Sequence, residues 1–358
     1  MFYNFFLRSF RIFLLPLSLV YWLVIFLRNW LFDKELLRTA TFGMPLITVG
    51  NLAVGGTGKS PLIEYLVALL HKRYKVATLS RGYRRRTRGY ALATTRSTAL
   101  EIGDEPLALH RKFPTIPVAV GEERLLAIPE LLHDHPETEV ILLDDAFQHR
   151  SIQAGCSILL TDYANLFTRD FYLPTGDLRD LKSRYKEATA IVVSKCPANL
   201  SEKQRGDLIE ELAPVAGQPV FFTTLSYGAP YHLTTKETYS FTGHEEILLV
   251  TGISNPRPLK QYIEERSATY LQLTYRDHHI FSIEDFKDIV REFEKLPAEN
   301  RVIVTTEKDA VRLEKFNTEI AQLPWYVLPV APRFLFDEQA SFDRLIVQFI
   351  EDFKRPLT

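Results

Sequence analysis

Cysteine is nearly absent. Cys156 and Cys196 are the only two in 358 residues, and there is no CxxC and no His/Cys ligand spacing, which excludes a disulfide framework and a structural zinc site and fits a reducing compartment. An excess of charge of one sign is missing as well. A formal net charge of −1 lacks the basic surplus that sequence-independent nucleic-acid binding requires, so no nucleic acid is expected as a partner. There is no internal repeat and no low-complexity tract, and a hydrophobic content of 46% excludes a disordered chain while allowing two full cores.

Long apolar runs are scarce, with one exception. Ile12 to Leu27 carries no charge and is interrupted only by Pro16 and Ser18. As a helix this run spans about 24 Å, short of a ~30 Å hydrocarbon core. Bulky residues and Arg28 stand where a signal peptide would need small residues at its cleavage site. The expectation is a helix lying in a bilayer interface, with Arg8, Arg11, Arg28, Tyr21, Trp22 and Trp30 near the headgroups; a buried core helix is the alternative.

The segment Ile47–Ser60 reads ITVGNLAVGGTGKS and is followed by PLIEYLVALL, so an apolar strand, a glycine-rich turn and a helix succeed one another. That order suits a polyphosphate, because glycines admit close backbone approach and the next helix presents unsatisfied amides and the positive end of its dipole. The strict P-loop pattern wants glycine where Ala53 stands, and Gly55 and Gly56 supply the turn instead. The expected cradle is Val54, Gly55, Gly56, Thr57, Gly58, Lys59 and Ser60, with Lys59 on the β- and γ-phosphates and the Ser60 hydroxyl on Mg²⁺. The competing reading is a glycine-rich connection kept for packing alone.

From Pro45 onward, short apolar strands alternate with helical periodicity, which predicts a doubly wound, mainly parallel sheet of the P-loop NTPase type, an α/β fold covered on both faces. Arg81 to Arg88 brings five arginines to the carboxyl edge of the second strand. The periodicity weakens around 221–246, rich in Thr and Tyr, which reads as extended or hairpin structure before a second, smaller α/β set. An amphipathic helix closes the chain from Glu338 to Phe353.

Several acidic turns are candidates for chemistry. The apolar strand before Asp144 and Asp145 ends as a Walker-B strand does, making both aspartates candidates for the metal, with a helix cap as the alternative. Asp104 in Gly-Asp-Glu-Pro is either an N-cap or a carboxylate able to take the proton of an attacking hydroxyl. Asp277-His278-His279 can orient an imidazole for proton transfer. The guanine clamp [NT]KxD is broken by Pro197, which favours ATP over GTP.

Taken in order, VGNLAVGGTGKSP, LSRGY, GDEP, GEER, LLDDAFQHR, LPTGDLRD, TGISNP, RDHH and TTEKDAVRL resemble the tetraacyldisaccharide 4′-kinase family over essentially the whole chain. The resemblance implies ATP- and Mg²⁺-dependent phosphorylation of the 4′-hydroxyl of an acylated disaccharide 1-phosphate in lipid A biosynthesis, at the cytoplasmic face of the inner membrane. It implies a catalytic dyad of Asp104 with His278, Asp104 accepting the proton directly or with His278, and Asp145 with Ser60 holding the metal. It also places Arg124, Arg179 and Asp180 at the lipid headgroup, with aspartate at 180 for the usual glutamate, and Ala146 for the common glycine.

On this reading residues 1–32 form a membrane-associated helix, 33–220 a P-loop kinase domain, 221–246 a β-ribbon, 247–332 a smaller α/β domain and 333–358 a C-terminal helix packing back on the kinase domain, in a monomer. The alternative is a membrane-associated regulatory or transport P-loop ATPase, which would want lysine where Val54 stands.

Overall fold

The computed structural model describes residues 11–354; Arg8, expected near the headgroups, lies outside them. The chain forms two compact units. The first comprises the described residues up to Arg81, Ile116–Thr224 and those from Pro332 on; the second comprises Gly82–Thr115 and Leu225–Ala331. The stretch 82–115 was expected with the phosphate-loop domain by its place in the chain, but its contacts group it with the later residues.

The first unit is built on Leu46–Asn51 (β1), Val76–Ser80 (β2), Val118–Val120 (β3), Val140–Asp144 (β4), Cys156–Asp162 (β5), Ala190–Ser194 (β6) and Val220–Tyr227 (β7). Their order is β7-β6-β5-β1-β4-β2-β3, and every neighbouring pair is parallel. All residues of β1 are buried, as a parallel strand covered on both faces demands. From β1 the chain winds first to β2 and β3 and then, through β4, to β5, β6 and β7 on the other side. The carboxyl end of β1 is therefore the topological switch point, where sheets of this kind bind ligands.

The C-terminal helix Gln339–Lys354 packs on this unit through Phe342, Ile346 and Ile350, one face at i, i+4, i+8. Phe342 sits edge-on to Phe221 at 5.2 Å, and Asp343 accepts from the Tyr65 hydroxyl at 2.6 Å.

A short 3₁₀ turn, Ile12–Leu14, leads into the helix Leu15–Asp33. The 22 residues would span about 33 Å at the usual rise, longer than the charge-free run suggests because Arg28 and Asn29 continue the helix. Its polarity is turned inside out. Ser18, Ile25 and Asn29 are buried, while Leu19, Val20, Leu23 and Val24 are 56–60% exposed. Polar contacts seat the inner face: Ser18 Oγ donates to the Tyr172 carbonyl at 3.0 Å, and Arg11 donates to the Pro174 carbonyl at 2.9 Å. This excludes the core-helix alternative, since a core helix would bury the leucines.

The second unit carries a sheet of Tyr231–His232 (β8), Glu246–Thr251 (β9), Thr269–Thr274 (β10), Arg301–Thr306 (β11) and Trp325–Leu328 (β12). The order is β10-β9-β11-β12-β8, parallel except for β8. The expected extended stretch 221–246 resolves into the end of β7, a tight hairpin in which the His232 N–H donates to the Glu237 carbonyl at 2.7 Å, and a turn into β9.

Candidate active site

The loop after β1 leads into the helix Lys59–Leu70, and Gly58 precedes that helix with φ +86°. Gly55 also takes a positive φ, +110°, so both positions favour a residue without Cβ. The loop is pinned through its acceptors: Ser194 Oγ donates to the Thr57 carbonyl at 2.7 Å, and Lys195 donates to the Gly56 carbonyl and, at 2.8 Å, to Asp162. Among the described residues, the N–H groups of Gly55, Gly56 and Gly58 find no acceptor. Two members of the expected cradle are otherwise engaged. The Val54 N–H donates to the Asp177 carbonyl at 2.8 Å, and the Thr57 N–H to the Gly55 carbonyl at 3.1 Å. What remains is an anion-binding concavity of glycine amides and a helix N-terminus beginning with Lys59 and Ser60.

Beside it stands the end of β4. Asp145 follows Asp144 with φ +50°, a conformation that non-glycine residues rarely adopt and that costs on the order of 1–3 kcal/mol. Its carboxylate lies 3.6 Å from Lys59 Nζ and pairs with both terminal nitrogens of Arg179. Burial opposes ionisation of Asp145, but Lys59, Arg179 and Arg124 outweigh it and hold the carboxyl below its ordinary value. Asn51 ties the group together, its Oδ1 accepting from Lys59 at 3.2 Å and from Arg179 at 2.6 Å. Asn51 and Lys195 were not anticipated from the sequence as site residues, since the first reads as a strand end and the second only as a failed guanine clamp.

Two of the residues expected at the headgroup are in fact interior. Arg124 is 1% exposed; its guanidinium donates to the carbonyls of Gly121 and, at 3.2 Å, Asp144, and burial drops its pKa to about 10. It braces the turn that carries Asp144 and Asp145. Asp180, also 1% exposed, accepts from Arg184 at 2.5 Å and from Asn29 of the N-terminal helix at 3.0 Å. A shorter side chain than glutamate suits such a buried role. Arg179 turns to Asp145 rather than to solvent.

The second unit assembles a separate cluster. Gly103 turns the chain with φ +93°, where a Cβ would meet the Tyr83 carbonyl at 3.3 Å. The helix Asp104–Lys112 follows, so Asp104 heads it, buried. His278 Nδ1 lies 3.0 and 2.8 Å from the two Asp104 oxygens. Arg312 Nη2 is 3.0 Å from the same carboxylate, and the Glu105 N–H donates to it at 3.0 Å. Burial raises the Asp104 pKa, but the His278 hydrogen bond and the charges of Lys308 and Arg312 more than reverse this, leaving it below its usual value. His278 adopts φ +61°. Its far nitrogen, Nε2, is 3.3 Å from Lys308 Nζ, which also reaches Glu105 at 2.9 Å and Asp277 at 3.3 Å.

Asp104 and His278 open onto a cavity of about 200 Å³ with Tyr83, Arg84, Arg86 and Leu100 on its walls. Lys308 and Arg312 were not singled out from the sequence, although both lie in TTEKDAVRL; Thr306 caps the helix Glu307–Leu313 through the Asp309 N–H and so sets their direction. His279, the other imidazole candidate, pairs with Asp285 at 2.9 Å and takes no part.

Residues 10–351 match the family described as LpxK, tetraacyldisaccharide-1-P 4′-kinase. A tetraacyldisaccharide 4′-kinase of Flavobacterium johnsoniae is 42% identical over 96% of this chain and 98% of its own length. One of Bacteroides thetaiotaomicron is 41% identical over 95% and 93%. Among solved structures, LpxK of Aquifex aeolicus in complex with ATP superposes with a TM-score of 0.74 at 26% identity, over 95% of this chain and 99% of that one. The chain belongs to the tetraacyldisaccharide 4′-kinase family.

Proposed function

We infer that the protein transfers the γ-phosphoryl group of ATP to the 4′-hydroxyl of a tetraacyldisaccharide 1-phosphate, a step of lipid A biosynthesis. The observation that carries this is the His278–Asp104 contact at 2.8 Å in a chain that also holds a phosphate loop. A nucleotide switch that only drives partner binding has no use for a buried acid–base pair.

The glycine amides and Lys59 bind the triphosphate tail and offset its charge. The Asp145 carboxyl, held below its ordinary value beside Lys59, is a donor that suits Mg²⁺, and Ser60 opens the adjoining helix; Asp145, Ser60 and Asp144 would hold the ion. Bound there, Mg²⁺ supplies neutralisation of the phosphate oxygens. Among the described residues no three His, Cys, Asp or Glu are grouped so as to hold a metal ion by themselves; Mg²⁺ ordinarily completes its shell with phosphates and water.

Of the dyad, His278 is the better proton acceptor. Both oxygens of Asp104 are engaged and its pKa is lowered, whereas Nε2 of His278 faces away from Asp104. Asp104 orients the imidazole and stabilises it once protonated.

The outward leucines of the N-terminal helix support a seat on the bilayer, at the cytoplasmic face of the inner membrane where ATP is found. Drawing an acyl chain into water would cost about 0.8 kcal/mol per CH₂, so the kinase comes to its lipid. The test is incubation with labelled ATP and an acylated disaccharide 1-phosphate in detergent. Label should move to the lipid; phosphate release without labelled lipid would instead support the regulatory ATPase.

A further inference from the structure

We propose that Lys308 is a positioning residue that fixes the tautomer of His278 and keeps its Nε2 unprotonated until the acceptor hydroxyl takes the place of the ammonium. The proposal rests on the reading of His278 as the base. An ammonium group has protons to give and no lone pair, so at 3.3 Å from Nε2 it can only donate. Nε2 is then the acceptor, and the ring proton sits on Nδ1, facing the two oxygens of Asp104. A sugar hydroxyl that is to lose its proton to Nε2 must approach along the direction Lys308 now holds. When it does, Lys308 stays tethered to Glu105 and Asp277, at 2.9 and 3.3 Å.

Charge makes the same point. Around the imidazole stand Asp104 and Glu105 from the helix Asp104–Lys112, Asp277 from its own loop, and Lys308 and Arg312 from the helix Glu307–Leu313. Arg84 donates to the Asp277 carbonyl at 2.8 Å, and the Tyr83 ring lies 5.1 Å from the imidazole. Arg86 shares the cavity wall with Arg84, so three carboxylates stand against four cations. Lys308 is the one of these cations that stands at Nε2 itself, and removing a cation from beside an imidazole nitrogen favours proton uptake there. A base that is already protonated accepts nothing.

The experiment is the pH dependence of lipid phosphorylation by full-length wild type, Lys308→Met, Lys308→Arg and His278→Gln, with ¹⁵N NMR of histidine-labelled protein to read the His278 tautomer. In Lys308→Met the acid limb of kcat/KM should move up by about one pH unit, as expected on losing a nearby cation, and Lys308→Arg should restore it. Wild type above neutrality should show the proton on Nδ1. An unmoved acid limb in a folded Lys308→Met, or a wild-type proton on Nε2, overturns the role of Lys308; the tautomer measurement decides even if the variant does not fold. Full activity in His278→Gln would instead overturn the base assignment itself.

Discussion

Asn29 of the N-terminal helix donates its side-chain amide to Asp180 at 3.0 Å, one residue from the arginine that holds Asp145. Arg150 adds bonds to the Asn29 carbonyl and side chain at 3.0 and 3.1 Å. The helix is thus wired into the first unit by buried polar contacts.

Replacing Asn29 with leucine should lower stability by about 1.5–3 kcal/mol, the range for losing a hydrogen bond to a charged group. Urea denaturation in a fixed detergent measures it. An unchanged midpoint would mean that Arg184 and the Leu181 N–H satisfy Asp180 without it.

The outward face should behave in the opposite way. Leu19→Glu with Leu23→Glu alters side chains 60% and 56% exposed, so the fold should survive. Membrane partition should fall by about 10²–10⁴-fold, since the two leucines together contribute about 3–6 kcal/mol when buried in an apolar phase. Vesicle co-sedimentation is the readout, and wild-type sedimentation would place the anchor elsewhere.

Asp104→Asn keeps the volume of the side chain but removes the charge that orients and stabilises the imidazole. Turnover should drop by about 10²–10⁴-fold, with ATP affinity unchanged because the phosphate loop is untouched. Equilibrium nucleotide binding beside steady-state kinetics separates the two, and wild-type turnover would remove Asp104 from the mechanism.

Much of this was legible from residues whose spacing is local. The strand, loop and helix from Ile47 to Leu70, the carboxylates ending β4 and the acid at Asp104 follow from short-range pattern and turn chemistry. Arg124 and Asp180 were harder, because a charged residue in a sequence looks exposed until its buried partners are known, and those partners come from β4 and from the N-terminal helix. Lys308 and Arg312 stayed hidden for a related reason: a lysine and an arginine on a capped helix resemble a solvated face. The grouping of 82–115 with the later residues has no local signature, since only contacts distant in sequence produce it.

Gly50 illustrates a constraint visible only in three dimensions. A Cβ there would lie 2.5 Å from the Phe147 Cβ, so Gly50→Ala must displace the turn that follows Asp145. Stability should fall by about 1–3 kcal/mol, as for other overpacked sites, and turnover with it. Thermal unfolding and kinetics check both; a neutral substitution would show that the turn can shift freely.

Glu245 predicts a pH effect. Its carboxylate accepts from the Tyr239 hydroxyl at 2.9 Å, the Thr242 N–H at 2.8 Å and the Gly243 N–H at 3.0 Å. Burial works against the charge, but these donors prevail and lower the pKa from 4.5 to about 2. A depressed folded-state pKa gives stability that is complete above about 4.5 and lost as the pH falls toward about 2. Glu245→Gln should flatten the decline between pH 5 and 3 in urea titrations, and an unaltered slope would assign that acid sensitivity to other carboxylates.

The inverted polarity of the N-terminal helix bears on encounter kinetics. On the seat proposed above, the enzyme meets its lipid by lateral diffusion, so the quantity that governs its rate is the surface density of acceptor, its mole fraction in the film. Diluting the substrate with inert amphiphile at constant bulk concentration should therefore slow the reaction, although no molecule has been removed from the tube.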